Sequence, residues 1–509
     1  MAYPTFFLSL SFLFTCIYAF TVFRRRNSRL PAGPYPFPIV GNLLQLGDKP
    51  HRSLASLSKL YGPLMSLKLG CITTIVVSSP DIVKEFFHTH DITFSSRSVP
   101  STGGVVDHHK YSIAWLPVGD QWRRLRRVTK EYLYSVQRLE ASELVLGKKV
   151  QELLDHVNQC CAREEPINMG VVVFTTTLNI FSNFLFSLDF AQYDSVLSQE
   201  FNDAIRGLME VAGTPNLADF FPMLKLFDPQ GLVRRGNVYG KRMLAIFDKI
   251  IDQRLHTRSN SSSCDGVSSR KNDVLDSLLD INLNATTLEW AMAELIRNPD
   301  IMKAARLEVT KHMQSNNRNI QESDITRLPY LQAIVKETLR LHPPVPLLVP
   351  HKAIHDVDVQ GFIVPKNAQI LCNVWAMGRD PNVWSNPEMF MPERFLEVEI
   401  DYKGHDFKFI PFGTGRRICP GLNFAHRMLH IIIGSLIHKF DWKLDGNVSA
   451  LDMDMEEKSD VEPTNCDEDE FMNDDDDEDN DSEDVEPMYE SEDKEASEED
   501  EDDGLIEQL

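Results

Sequence analysis

The chain has 509 residues, a formal net charge of -23 and 42% hydrophobic residues, which is enough for a large buried core. The acidity belongs to one stretch: residues 459–509 hold 27 Asp or Glu and one Lys, leaving +3 for residues 1–458. That body lacks the basic excess of a nucleic-acid binder. Eight scattered cysteines without a CxxC pair argue against a zinc ribbon or disulfide scaffold and fit a reducing, cytosol-facing compartment.

Residues 1–29 read as a membrane signal anchor with a basic stop. Residues 2–23 carry no charge and are long enough to cross a bilayer as one helix. Arg24, Arg25 and Arg26 follow and place that side in the cytosol. A cleaved signal peptide fits less well, because the run has no basic n-region and no small-residue cleavage site. Residues 30–44 form a Pro-rich hinge, where Pro31, Pro34, Pro36 and Pro38 make a stiff, extended connector.

Residues 45–458 form the main domain. Periodicity predicts helices over 51–61, 121–132, 148–157, 241–254, 285–297 and 331–341, and strands over 64–69, 74–77 and 369–374. The fold class is therefore mainly α with a smaller β portion. Residues 258–272 read as a polar, Ser-rich loop, and 459–509 has the composition of a disordered acidic tail.

The strongest chemical signal is Pro411-Phe412-Gly413-Thr414-Gly415-Arg416-Arg417-Ile418-Cys419-Pro420-Gly421. A cysteine in a glycine-rich loop ahead of an amphipathic helix offers a soft thiolate, which suits haem iron. Gly415 and Gly421 would let backbone N–H groups approach the sulfur, and Arg417 can reach an anionic group. The plain alternative is a buried structural cysteine in a turn.

Phe412, Gly415, Arg417, Cys419 and Gly421 fit F-x-x-G-x-R-x-C-x-G at every fixed place, and so resemble the haem-binding signature of cytochromes P450. Three further segments agree in the family's order. Glu337 and Arg340 resemble its E-x-x-R pair, and Pro392-Glu393-Arg394-Phe395 the segment whose arginine joins that pair. Trp122 and Arg126 resemble the W-x-x-x-R of its C helix. The resemblance implies a cytochrome P450 fold preceded by an N-terminal transmembrane helix, and haem b with Cys419 as axial ligand of the iron. It implies haem propionates met by Trp122, Arg126 and Arg417, and a buried Glu337–Arg340–Arg394 network. His351 stands where many relatives place a propionate-binding arginine. Segments such as 216–222, 328–337 and 434–444 look most like the geraniol 8-hydroxylase group of plant microsomal P450s. That implies an endoplasmic-reticulum monooxygenase for terpenoid alcohols such as geraniol, with NADPH electrons arriving through NADPH–cytochrome P450 reductase. Its partners would be that reductase, membrane lipid and a small apolar substrate, and no nucleic acid.

Two departures stand out. The family carries A/G-G-x-D/E-T-T in the helix over the distal haem face, and here a gap near 281–287 removes that acid–alcohol pair. Thr286 and Thr287 are the stand-ins for the alcohol. The remaining helix over 285–297 is about 20 Å at ~1.5 Å per residue, too short to cross the body. Beyond 458 the acidic tail replaces a β-hairpin whose tip lines the pocket in relatives. Residues 345–349 are expected to form part of the pocket wall. Three readings follow: a haem-thiolate monooxygenase, a haem protein inactive as a monooxygenase (a truncated paralogue, a splice form or a fused gene model), and an interaction protein using its acidic tail.

Overall fold

A computed structural model of the chain describes residues 29–190, 196–259, 273–313 and 318–444, without the side chains of 196–202, 250–259 and 273–282. Residues 1–28 of the anchor expected over 1–29, residues 260–272 of the Ser-rich loop and the acidic tail lie outside the described residues.

The longer helices are α1 (Pro50–Tyr61), α2 (Asp120–Val128), α3 (Glu143–Arg163), α4 (Met169–Phe186), α5 (Val196–Gly213), α6 (Leu232–Ser259), α7 (Asp273–Arg297), α8 (Pro299–Met313), α9 (Pro329–Leu341) and α10 (Leu422–Lys439). Helix dominates, as expected. Strands β1 (Leu64–Leu69), β2 (Ile72–Val77), β3 (Ser96–Arg97), β4 (His351–Lys352) and β7 (Gln369–Cys372) form one sheet in the order β1-β2-β7-β4-β3. β5 (Val357–Val359) and β6 (Phe362–Val364) make a separate hairpin.

Local chemistry sets the ends of these elements. Pro50 and Pro329 open α1 and α9 at positions whose N–H groups would lack helical partners anyway. The Glu308 carboxylate, on α8, accepts from the Tyr330 and Leu331 N–H groups at 2.8 and 3.0 Å and so caps α9 from a neighbouring helix. The Asn168 side chain caps α4 at 3.1 Å.

α4 is the helix that periodicity does not reveal. It is apolar nearly all round, and Val172, Val173, Leu178, Ile180, Phe181 and Phe184 are buried. A helix buried on every side carries no amphipathic stripe. It is long and apolar enough to cross a membrane, but 61% of it is buried inside the protein, so it is a core helix.

The expectation of a short helix over 285–297 is corrected. α7 is continuous for 25 residues, roughly 37 Å at about 1.5 Å per residue. The segments flanking the gap close up into one helix, which packs against α4, α9 and α10. Thr286 and Thr287 accordingly sit inside it and do not start it.

Candidate active site

Cys419 lies at the mouth of α10. Gly413 and Gly415 adopt φ of +74° and +64°, the left-handed region open to glycine, and a Cβ at Gly415 would come 3.0 Å from the Phe87 carbonyl oxygen. Gly421, at φ −81°, is an ordinary N-cap, so handedness does not explain it. The Cys419 N–H donates to the Phe412 carbonyl at 3.0 Å, closing the loop. Phe412 packs against Tyr402 with ring centroids 5.5 Å apart. Cys419 is partly exposed and in no disulfide. Cys372, in β7, is the contrast: burial pushes its thiol up to about 12, which makes it inert.

Arg417 points back under the loop. It donates to the carbonyls of Ser95 at 2.8 Å, Ile113 at 2.9 Å and Leu116, and its guanidinium lies 4.8 Å from the Trp122 ring centre. Trp122 donates its indole N–H to the Ile113 carbonyl at 3.0 Å. Arg126, one turn further along α2, donates to the Ile418 carbonyl beside Cys419. The structure therefore brings together Cys419, Arg417, Trp122 and Arg126, which the sequence motifs singled out.

It adds a residue those motifs missed. Arg97, in β3, is buried, pairs in register with His351 of β4, and donates to the Val349 carbonyl. Its Nε is buried without a hydrogen-bond partner. Burial and then Arg417 lower its pKa to about 9, while burial and then Arg126 lower that of Arg417 to about 10. Burial also lowers Arg126, partly offset by a Cys419 thiolate. No carboxylate of the described residues enters this balance. Neighbouring Arg416, by contrast, pairs with Asp91 nearer the surface. Three cations held together beside one thiolate make a site that further negative charge would relieve.

His351 is buried and, through burial and then Arg97, titrates well below the usual histidine range. Its Nδ1–H donates to the Phe94 carbonyl at 2.7 Å, and its ring lies 4.5 Å from that of Phe87. It is a neutral imidazole among arginines.

Behind this loop, Glu337, Arg340 and Arg394 do form one buried network. Arg340 donates to both Glu337 oxygens at 2.7 and 2.8 Å, and Arg394 to Oε1 at 3.1 Å. The Met391 N–H adds a bond to the same oxygen at 2.7 Å. The remaining guanidinium donors reach the carbonyls of Gly378, Pro387, Ser385 and Asn386. The planar forks match carboxylate and carbonyl acceptors together.

On α7, the buried Thr287 hydroxyl donates to the Leu283 carbonyl at 2.8 Å, and Thr286 is half-buried. An apolar cavity of about 130 Å³ lies between residues 100–115 and α5. A larger open groove, about 520 Å³, is lined by Asp81, Lys84, Asp401, Lys403 and Lys408 and suits a charged ligand better than an apolar one.

Comparison with known proteins gives these features a family. The family profile described as Cytochrome P450 matches residues 31–285 and 284–465, two stretches that meet within α7. Cytochrome P450 76T24 of Catharanthus roseus is 49% identical over 458 residues, covering 85% of this chain and 91% of that protein. Geraniol 8-hydroxylase of Catharanthus roseus is 44% identical over 483 residues, 90% and 96% of the two. Ferruginol synthase of Isodon rubescens is 44% identical over 454 residues, 84% and 91%. With a partly exposed cysteine at the mouth of its loop, a buried cationic cradle beside it and relatives of this kind along most of its length, the chain belongs to the cytochrome P450 family of monooxygenases.

Proposed function

We propose that the protein hydroxylates a small apolar substrate, a terpenoid alcohol such as geraniol, by the reaction RH + O2 + NADPH + H+ → ROH + H2O + NADP+. The observation that carries this reading is the anion-seeking cradle beside Cys419. Haem b is an iron complex with two carboxylates, and the residues present fit it. Cys419 would supply a thiolate to the iron, and Arg97, Arg126 and Arg417 would hold the propionates, with the orphaned Arg97 Nε as a ready donor. Trp122 would keep Arg417 in place. Bound there, the haem supplies oxygen activation, and the thiolate's electron density favours it.

The distal side is weaker. Thr287 has its hydroxyl proton committed to Leu283, and Ala285 stands ahead of the two threonines where an acid would be needed. We therefore expect poor coupling, with more NADPH consumed than product formed. Counting NADPH, peroxide and hydroxylated product with geraniol tests this. Product accompanied by excess NADPH consumption supports the reading. No product with either NADPH or peroxide favours the haem protein inactive as a monooxygenase, the reading that the missing acid–alcohol pair keeps in play.

Partner and location belong to the same proposal. Arg124 and Arg127 are exposed on α2 and offer a basic face to NADPH–cytochrome P450 reductase. Phe37, Ile39 and Leu44 are 50%, 70% and 75% exposed, and Met223, Leu226 and Phe227 85%, 91% and 77%. Gly41 bridges Leu69, and Cys71 N–H donates to the Phe220 carbonyl at 2.8 Å, so both apolar groups flank one strand turn. That surface, with the apolar run over 2–23, supports an endoplasmic-reticulum membrane protein with its body in the cytosol.

A further inference from the structure

A short segment ahead of the cysteine loop touches both of its flanks. Phe412 lies seven residues before Cys419, and His426 seven residues after it, in the second turn of α10. Tyr402 meets both. Its ring packs on Phe412 with centroids 5.5 Å apart, and its hydroxyl is hydrogen-bonded to His426 Nδ1. Two residues on, the Gly404 carbonyl accepts from Thr414 Oγ1 at 2.6 Å. Gly404 has φ of +82°, and a Cβ there would lie 2.6 Å from Ile418 Cδ1 and 3.3 Å from the Gly413 carbonyl oxygen. Residues 402–404 therefore lie against the loop on both sides of its turn, up to the neighbour of Cys419 itself.

The hydroxyl–imidazole contact is fixed from behind on each side. Tyr402 is 3% exposed, and its ring stands edge-on to Phe409 at 6.0 Å. Phe409 packs in turn on Phe395, next to the buried Arg394, at 5.3 Å. On α10 the His430 Nδ1–H donates to the His426 carbonyl at 2.6 Å, and the two imidazoles lie 4.2 Å apart. Burial, and then Asp401, raises the Tyr402 phenol above its usual range, and burial, and then Lys403, lowers His426 to about 4. Both are neutral near pH 7. A hydroxyl buried this deeply would be left unsatisfied without the imidazole.

We propose that Tyr402, held by His426, is a positioning residue for the Cys419 thiolate. It fixes the Phe412 flank of the loop against α10, the helix that leaves the other flank. The Cys419 N–H donates to the Phe412 carbonyl at 3.0 Å, so a displacement of Phe412 passes directly to the cysteine. A metal ligand keeps its geometry and electron density only as well as the groups behind it are held. Tyr402 acts through Phe412 and has no part in the chemistry itself. This deepens the monooxygenase reading and rests on its haem-thiolate part.

The test follows the carbon monoxide difference spectrum of the reduced, full-length, haem-loaded protein over time, with total haem counted separately. It needs no turnover, so a failure to hydroxylate geraniol leaves it standing. Y402F keeps the ring on Phe412 and loses the hydrogen bond. It should lose the red-shifted thiolate band to an unshifted one about fivefold faster than the wild type, the scale of one hydrogen bond, with total haem unchanged. H426F should match it, and the double variant should be no worse than either single one. H426N, which brings an amide oxygen near the place of Nδ1, should recover part of the lifetime. H426L serves in place of H426F if the latter does not fold. A merely structural role would lower melting temperature and haem content together and leave the band of the retained haem unchanged. That result, additive losses in the double variant, or a wild type without the red-shifted band overturns the proposal.

Discussion

Arg97 shows most clearly what the site asks for. Its guanidinium is buried beside Arg417, its Nε has no partner, and burial with Arg417 lowers its pKa to about 9. Removing it should act in opposite directions on two states. In haem-free protein, R97A relieves like-charge repulsion and should leave thermal stability equal or higher. In loaded protein it should weaken haem retention by at least about tenfold, the scale of one hydrogen bond to a charged group. R97K should rescue it only partly, because an ammonium lacks the planar fork. Haem-to-protein ratio after gel filtration, with melting curves of both forms, checks this. If R97A retains haem like the wild type, Arg97 is not part of the cradle. At this scale Cys419, Arg417, Trp122 and Arg126 were legible because each lies in a short motif that resembles the family's. Arg97 was not, because its role comes from the pairing of β3 with β4, far apart in the chain.

The same division holds for elements. β1 and β7 and helices α1 and α9 were legible from their alternation or amphipathic period. α4 was not, because a helix buried all round shows no stripe. The N-terminal half of α7 was not either, because the gap places two unrelated halves in one helix. On α9, E337Q should cost about 3–5 kcal/mol, since it leaves Arg340 and Arg394 buried with a neutral partner. Denaturant midpoints read this, and a loss under about 1 kcal/mol would show that the network is not a strong determinant of stability. On α7, T287V should leave product per NADPH unchanged within about twofold, because the Thr287 hydroxyl already donates to Leu283. A larger fall in coupling would show that this hydroxyl delivers protons after all.

For the whole molecule, acid should be the weak side. Burial, and then Lys403, lowers His426 to about 4; its Nδ1 meets the Tyr402 hydroxyl, and Asp401, Arg427 and Lys336 also face it. Burial holds His430 and His351 well below the usual range too. Unfolded histidines take a proton near pH 6.5, and these folded ones refuse it, so the unfolded state binds more protons in that window. Stability should therefore be full above about pH 6.5 and fall as pH drops toward 4, by on the order of 3 kcal/mol for His426 alone. H426F should flatten this part of the pH–stability curve, and an unchanged slope would contradict the assignment. Asp324 adds to the acid side at lower pH. Burial opposes its ionisation, but hydrogen bonds from Arg318, the Gln321 N–H and His312 outweigh this and hold the carboxyl below the usual range.

We propose that this chain still holds haem through the Cys419 thiolate although its distal acid–alcohol pair is missing. The carbon monoxide difference spectrum of the reduced, purified, full-length protein tests it most directly. The expected result is the red-shifted Soret band of thiolate ligation, abolished in C419S. An absent band, or one that C419S leaves unchanged, would contradict it.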